Sequence, residues 1–258
     1  MTESVVAEFD VVVLGGGSGG YAAALRAAEL GKTVALVEKD RLGGTCLHRG
    51  CIPTKALLHA AEIADSVRES SAYGVTASYG GIDTAALRTY RESIVAKKFK
   101  GLEGLVARRG ITVVAGEGRL EAGRTVRVGG DTYRGQHVVL ATGSYSRSLP
   151  GLDIGGRVLT SEGALALDEV PTSVVILGGG VIGVEFASVW RSFGAEVTIV
   201  EALPRLVAAE DEASSKALER AFRKRGIAFR TGTSFQGVAR TDAGVAVTVE
   251  GGDVLEAD

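Results

Sequence analysis

The sequence is sparing in the residues that mark specialised architectures. Only two of its 258 residues are cysteine and only four are proline, so neither a disulfide-stapled secreted scaffold nor a proline-rich linker composition is present. Long apolar runs are missing as well. The longest, such as Val11 to Leu14 and Val174 to Leu177, fall far short of the roughly 20 residues that a membrane helix needs. Charge of one sign is missing too: 29 Lys and Arg stand against 31 Asp and Glu, a net charge of −2, which gives no footprint for nucleic acid or an anionic membrane. The first residues carry Glu3, Glu8 and Asp10 in place of a basic leader, so no secretory signal is expected and the cytoplasm is the expected location.

Glycine is what the chain has in excess, with 37 residues, and with so little proline these glycines are expected to hold backbone geometry. The hydrophobic share of 45% and charged share of 23% are ordinary for a globular protein and disfavour disorder, coiled coil and collagen. The length suits two ordinary domains or one large one. An internal repeat decides how they are organised. Asp10 to Gly20 reads DVVVLGGGSGG and Ser173 to Gly183 reads SVVILGGGVIG, at an offset of 163 residues, and the same offset carries Glu38 onto Glu201.

Each copy reads as a buried parallel strand, a GxGxxG turn, an Ala-rich helix and a second strand ending in glutamate. The glycines are Gly15, Gly17 and Gly20, then Gly178, Gly180 and Gly183. In such a turn the first glycine allows the bend, the second lets backbone approach a pyrophosphate, and the third lets helix pack on strand. The helix N-terminus offers free N–H groups to the phosphates. The glutamate stands where a carboxylate accepts hydrogen bonds from ribose. One GxGxxG is weak evidence; two in the same context imply two dinucleotide sites. The fold class expected is therefore α/β, with two Rossmann-like dinucleotide-binding domains built on parallel sheets. Pro150 and Gly151 mark the boundary, giving domains 1-150 and 151-258.

Helices are expected over about Pro53 to Ser70 and Asp83 to Arg109, strands over Ile111 to Ala115 and Val138 to Ala141, and turn-rich extended chain over Arg119 to Tyr133. Trp190 and Phe193 read as packing residues. Arg91, Lys97, Lys98, Lys100, Arg108 and Arg109 read as a solvated helix face. Gly252 to Asp258 resembles the approach made by Asp131 to Gln136 in the first half, so the second domain is expected to lack its closing strand, whether nested or sequential.

Between Glu38 and the first long helix lies GGTCLHRGCIPTK, Gly43 to Lys55. On a regular helix Cys46 and Cys51 would have Cα atoms about 8.7 Å apart, beyond the roughly 7 Å limit of a disulfide. If they bridge, the helix is broken between them, and Gly50 is the expected break. Pro53 suits the first turn of the helix that follows. Three readings are open. A structural staple closes too short a loop to stabilise much. A metal site could add His48 and His59, but the spacing is not a common zinc pattern, and no metal is expected. A redox pair is favoured, because the following helix N-terminus would stabilise a thiolate at Cys51. His48 alone reads as a polar loop residue.

These segments, GGGSGGYAAALRAAELG, GGTCLHRGCIPTKALLHAAE, LATGS and LGGGVIGVEFASVWRSFGAEVTIVE, resemble the flavin disulfide oxidoreductases over essentially the whole chain, and within them the dihydrolipoamide dehydrogenase branch. The CIPTKALL stretch is the most specific part; Ile52, Thr54 and Ala56 favour that branch over glutathione, trypanothione and mercuric reductases, while His48 and Arg49 depart from the commoner Asn-Val. The resemblance implies FAD on the first site, with Gly15, Gly17 and Gly20 at its pyrophosphate, Glu38 at its ribose, and Gly44, Thr45, Gly118, Ala141, Thr142 and Gly143 as further contacts. Cys51 would be the thiol beside the flavin, Cys46 the interchange thiol, and Lys55 would lie near the flavin ring, paired with Glu185. NAD would take Gly178, Gly180, Gly183 and Glu201, whose carboxylate disfavours a 2′-phosphate.

The implied activity is reoxidation of dihydrolipoamide on a 2-oxoacid dehydrogenase complex, with hydride passed to NAD. The implied full-length form is a homodimer. The family's flavin-contacting aspartate and C-terminal His-Glu pair lie outside these residues, so the chain reads as an N-terminal portion of low activity. The alternatives are a non-catalytic FAD/NAD-binding fragment with diaphorase activity and a mercuric reductase.

Overall fold

The computed structural model describes residues 6–241 and 243–258; Glu3 lies outside them. In chain order come β1 (Val6–Leu14), α1 (Ser18–Glu29), β2 (Val34–Glu38), α2 (Gly44–His48), α3 (Cys51–Glu69), α4 (Thr84–Arg108), β3 (Thr112–Ala115), β4 (Gly118–Glu121), β5 (Thr125–Val128) and β6 (Asp131–Leu140). They are followed by α5 (Ser161–Leu165), β7 (Ser173–Leu177), α6 (Val181–Phe193), β8 (Glu196–Val200), α7 (Glu212–Arg225), β9 (Ala228–Arg230), β10 (Phe235–Arg240), β11 (Val245–Val249) and β12 (Val254–Ala257). Among the described residues no helix is long and apolar enough to cross a membrane.

The chain forms two compact units: residues up to Pro53 with Glu92–Tyr145, and Thr54–Arg91 with Ser146–Asp258. Residues 54–91 precede position 150 in sequence yet pack in the second unit, because Leu57 and Ala61 of α3 are buried in the same cluster as Phe186, Ala187 and Trp190 of α6.

In the first unit the sheet order is β3-β2-β1-β6-β5-β4. The four strands β3, β2, β1 and β6 are parallel. Consecutive strand residues face opposite sides, so Val13 and Leu36 pack with Ala24 of α1 and Val106 of α4, while Val12, Ala35 and Val37 pack with Val126. Both faces are covered, which is why Val11 to Leu14 of β1 and Val34 to Val37 of β2 read as apolar runs. Thr33 donates its backbone N–H and its hydroxyl to Asp10, at 2.8 Å each, holding that carboxyl below the usual aspartate range.

The parallel core expected of the fold class carries an antiparallel addition at one edge. The segment 119–133 is a β4–β5 hairpin joined antiparallel to β6, so the first sheet is mixed. Here Gly123 and Gly129 take positive φ at the turns, which alternating apolar and polar residues alone do not announce.

The second unit repeats the plan. Strands β7-β8-β9 form a parallel sheet, and α6 buries Phe186, Val189, Trp190 and Phe193 in a core with Ile199 and Phe222. Trp190 and Phe193 are thus packing residues. A β10-β11-β12 meander stands where β4, β5 and the start of β6 stand in the first copy, with Val247 and Val249 packed on Val200, Val175 and Leu177. Strand β7 pairs only with β8 among the described residues, and Asp258 donates its N–H to Ser173 Oγ at 3.0 Å.

The cationic face is exposed at Lys97, Lys98, Lys100, Arg108 and Arg109, but Arg91 is half-buried and its guanidinium donates to Leu165 O. It belongs to the packing of the second unit, not to a solvated face.

Leu36 is fully buried and Leu30 is 61% exposed. Leu36→Ala is expected to destabilise the fold by about 2–5 kcal/mol and Leu30→Ala by less than about 0.5 kcal/mol, read from urea denaturation.

Candidate functional site

The first turn begins where β1 ends. Gly15 has φ +104, its N–H donates to Val37 O at 2.8 Å, and a Cβ on it would lie 2.2 Å from Ala141 O. Gly20 passes so close that a Cβ would lie 1.8 Å from Gly15 O. Both glycines are required by the chain itself. Gly17 is not: its φ is −68, which any residue adopts, and a Cβ would meet nothing nearer than Gly44 Cα at 3.9 Å. What its missing side chain leaves is open backbone at the start of α1, a helix with no side-chain cap and no acidic residue in its first turn. The orphan N–H groups and the positive dipole end are therefore uncompensated, which fits an anion.

The second turn reproduces the backbone hydrogen bond and the close helix approach, though a Cβ on Gly178 would meet nothing within 4 Å. Gly178 has φ +109 and donates to Val200 O at 2.8 Å. A Cβ on Gly183 would lie 2.0 Å from Gly178 O. Gly180 has φ −74 at the uncapped start of α6, and a Cβ there would meet nothing within 4 Å.

The two glutamates are fixed alike. Glu38 accepts from Gly16 N at 2.6 Å and from Asp40 N at 2.8 Å; Glu201 accepts from Gly179 N at 2.6 Å and from Leu203 N at 2.7 Å. Each carboxylate oxygen takes one backbone donor and keeps acceptor capacity for a hydroxyl.

A further shared element escapes the sequence comparison. Gly43, φ +105, donates its N–H to Gly16 O, and Val207, φ +44, donates to Gly179 O, both at 2.8 Å. The preceding leucines plug the same place, since Cβ atoms on Gly16 and Gly179 would meet Leu42 at 2.8 Å and Leu206 at 2.5 Å. The offset here is 164, one residue more than in the rest of the repeat, which hides the match. The available signal is a leucine preceded by arginine, Arg41-Leu42 and Arg205-Leu206, four and five residues past the two glutamates. Val207 is β-branched in the left-handed region, a costly conformation held by a fully buried Leu206.

The cysteine segment is pinned onto the first turn. Besides the Gly43 hydrogen bond, a Cβ on Gly44 would lie 2.7 Å from Gly17 Cα, and Gly17 and Gly43 form a parallel bridge. Cys46 is half-buried on α2, and Cys51 is exposed at the first position of α3. Both are thiols in this structure. The helix breaks between them, at Arg49 and Gly50, where Arg49 N donates to Thr45 O at 2.8 Å and a Cβ on Gly50 would lie 3.1 Å from the same oxygen. His48 is more than a polar loop residue. It ends α2 with Nε2 2.8 Å from Leu42 O and its ring edge-on to Phe99 at 5.1 Å, while Arg49 pairs with Asp40 at 2.9 Å.

Of the other candidates, Ala141 stands over Gly15, and Thr142 and Gly143 are exposed. Gly118 is accounted for by packing alone, because a Cβ would meet Leu14, Val37 and Val126 within 3.0 Å. In the second unit Lys55 Nζ donates to Glu185 Oε1 at 2.6 Å. Thr45 is exposed on α2. Among the described residues no group of three His, Cys, Asp or Glu could hold a metal.

The glycines thus fall in two classes with different mutational outcomes. Gly20→Ala and Gly183→Ala are expected to destabilise their units by at least about 1–3 kcal/mol through overpacking, whereas Gly17→Ala and Gly180→Ala change stability by no more than about 0.5 kcal/mol, measured by urea denaturation.

The model of the family described as pyridine nucleotide-disulphide oxidoreductase matches residues 9–258. The chain is 43% identical to the dihydrolipoyl dehydrogenase of Bacillus subtilis, over 87% of this chain and 50% of that protein. It is 41% identical to the mitochondrial dihydrolipoyl dehydrogenase of Pisum sativum, over 97% of this chain and 53% of that protein. Among solved structures, LpdA from Mycobacterium tuberculosis superposes with a TM-score of 0.85 at 27% identity, covering 97% of this chain and 57% of that one. The HOCl-induced flavoprotein disulfide reductase RclA from Escherichia coli gives 0.80 at 29% identity, covering 96% and 55%. The chain spans about half the length of the curated relatives it matches. By the extent of that match, and by two glycine turns with a cysteine pair seated on the first, the chain belongs to the pyridine nucleotide-disulphide oxidoreductase family.

Proposed function

We propose that this chain is the FAD- and NAD-binding part of a dihydrolipoyl dehydrogenase, with residues 1-150 as the FAD domain and 151-258 as the NAD domain. The observation that carries the reading is the docking of the cysteine segment on the first glycine turn through Gly43 and Gly44, in a chain that holds a second turn of the same design. The names of the relatives support dihydrolipoamide as the substrate. On this reading the substrate arrives on a 2-oxoacid dehydrogenase complex, the full-length protein is a homodimer and its location is cytoplasmic.

The residues present fit both cofactors. The N–H groups at Gly17 and the start of α1 would hold the FAD pyrophosphate, Glu38 its ribose, and Gly44, Thr45, Gly118 and Ala141 to Gly143 would offer backbone. Gly178, Gly180 and Gly183 would hold the NAD pyrophosphate. Glu201 would hold the NAD ribose and repel a 2′-phosphate, favouring NAD over NADP. When bound, the flavin supplies a two-electron acceptor that hands hydride to NAD.

The chain's own chemistry is thiol exchange. In the oxidised state Cys46 and Cys51 share a disulfide. A dihydrolipoamide thiolate attacks Sγ of Cys46, and Cys51 leaves as a thiolate, stabilised by the N-terminus of α3. The second substrate thiol gives up its proton and attacks the first substrate sulfur. Cys46 leaves and takes up a proton, lipoamide is released, and two electrons remain on the cysteine pair. Lys55 and Glu185 form a charge pair within the second unit.

Dihydrolipoamide-dependent NAD reduction, assayed on this chain and on one extended by its downstream sequence, tests the activity; none in either overturns the reading. Dithionite titration of the FAD-loaded protein should give a long-wavelength band that Cys51→Ser abolishes, and a band that survives refutes the role of Cys51. Gly17→Ala should lower FAD affinity, and Gly180→Ala NAD affinity, by roughly tenfold, each leaving the other cofactor unaffected in equilibrium titration.

A further inference from the structure

Within the second unit, α3 and α6 touch through polar groups at two levels. Near their starts, Lys55 donates to Glu185 at 2.6 Å. Farther along, Ser192 Oγ donates to Asp65 Oδ2 at 2.6 Å. Both contacts join α3 to α6 in the same order, so the helices run in the same direction. Between these levels lie Leu57 and Ala61 of α3 and Ala187 of α6, all buried in one cluster.

The two contacts differ in what they can enforce. The Lys55 side chain is 55% exposed, so water competes for its ammonium and the pair alone holds little. Ser192 is 2% exposed, and its hydroxyl sits in a network whose groups are committed. Arg225, the last residue of α7, donates to Asp65 Oδ2 at 3.1 Å and to Ser192 Oγ at 2.7 Å. Arg68 donates to the other Asp65 oxygen at 3.0 Å. Arg191, next to Ser192, donates its Nε to Arg225 O at 2.8 Å. Releasing Asp65 from Ser192 would leave the buried Ser192 O–H without its acceptor, which is costly. A slip of α3 along α6 by one turn, about 5.4 Å, would undo this network and the Lys55–Glu185 contact together.

We propose that Asp65, Ser192 and Arg225 are positioning residues, a register lock between α3 and α6 that holds Lys55 against Glu185. The link to catalysis rests on the function proposed above; the lock itself does not. The lock is tested on the full chain by nitrogen-15 spectroscopy of the lysine ammonium groups, the Lys55 signal being assigned with Lys55→Arg. The wild-type Lys55 ammonium is expected to be motionally restricted. In Ser192→Ala it becomes as mobile as the other exposed lysines, and Ser192→Thr, which keeps the hydroxyl, restores it. Asp65→Asn serves as an independent second variant with the same expected loosening. An unchanged Lys55 signal in both Ser192→Ala and Asp65→Asn overturns the lock, whatever reaction the protein performs.

The catalytic consequence is read in the FAD-loaded, lipoamide-active form. Ser192→Ala is expected to lower kcat on the order of tenfold without moving KM for NAD, and to cost nothing further in a Glu185→Gln background. Independent, multiplying losses would overturn action through Glu185. A Lys55 signal that loosens with kcat unchanged would overturn the catalytic link and leave the lock standing.

Discussion

The contact on which the rest of the structure depends is the approach of a helix to the carbonyl of the turn that precedes it. In each half a glycine near the helix start, Gly20 or Gly183, lies where any Cβ would enter the carbonyl oxygen of Gly15 or Gly178. That approach brings the helix N-terminus over the end of the strand and leaves its first N–H groups facing outward without a cap. It also places the N–H of Gly16 or Gly179 within reach of the glutamate that ends the next strand. One steric requirement thus supplies a positive helix end and an oriented carboxylate, the two groups that a dinucleotide's pyrophosphate and ribose need.

The copies diverge in what they attach to this unit. In the first, the left-handed donor to the turn's central carbonyl is Gly43, and the chain continues directly into the cysteine helix α2. In the second, the donor is Val207, in the loop before α7. The same backbone device therefore mounts a thiol segment on one turn and only a loop on the other. This difference is the physical basis for assigning the redox step to the first site.

Much of this was legible in the residues. The strand, turn, helix, strand, glutamate order stands in the sequence because a strand buried on both faces is apolar over its buried stretch and the first and third glycines of each turn are required by backbone conformation or close approach. The helix break between Cys46 and Cys51 followed from the reach of a disulfide. Other features depend on contacts that local pattern does not carry. The β4–β5 hairpin has alternation too short to separate from loop. The leucine clamp is hidden by a single added residue between Glu201 and Leu206. The burial of residues 54–91 with the second unit, and the Asp65, Ser192 and Arg225 network within it, join residues more than a hundred positions apart. Local pattern reads His48 as loop because its partner Phe99 lies about a third of the domain away in sequence.

The central claim is that Cys46 and Cys51 form one redox pair with unequal duties, Cys46 meeting the substrate and Cys51 facing the flavin. Brief alkylation of the FAD-loaded protein after reduction by dihydrolipoamide, with the labelled residue identified by mass spectrometry, tests it most directly. The account predicts label on Cys46 in preference to Cys51. Label on Cys51 first, or equal label on both, would contradict it.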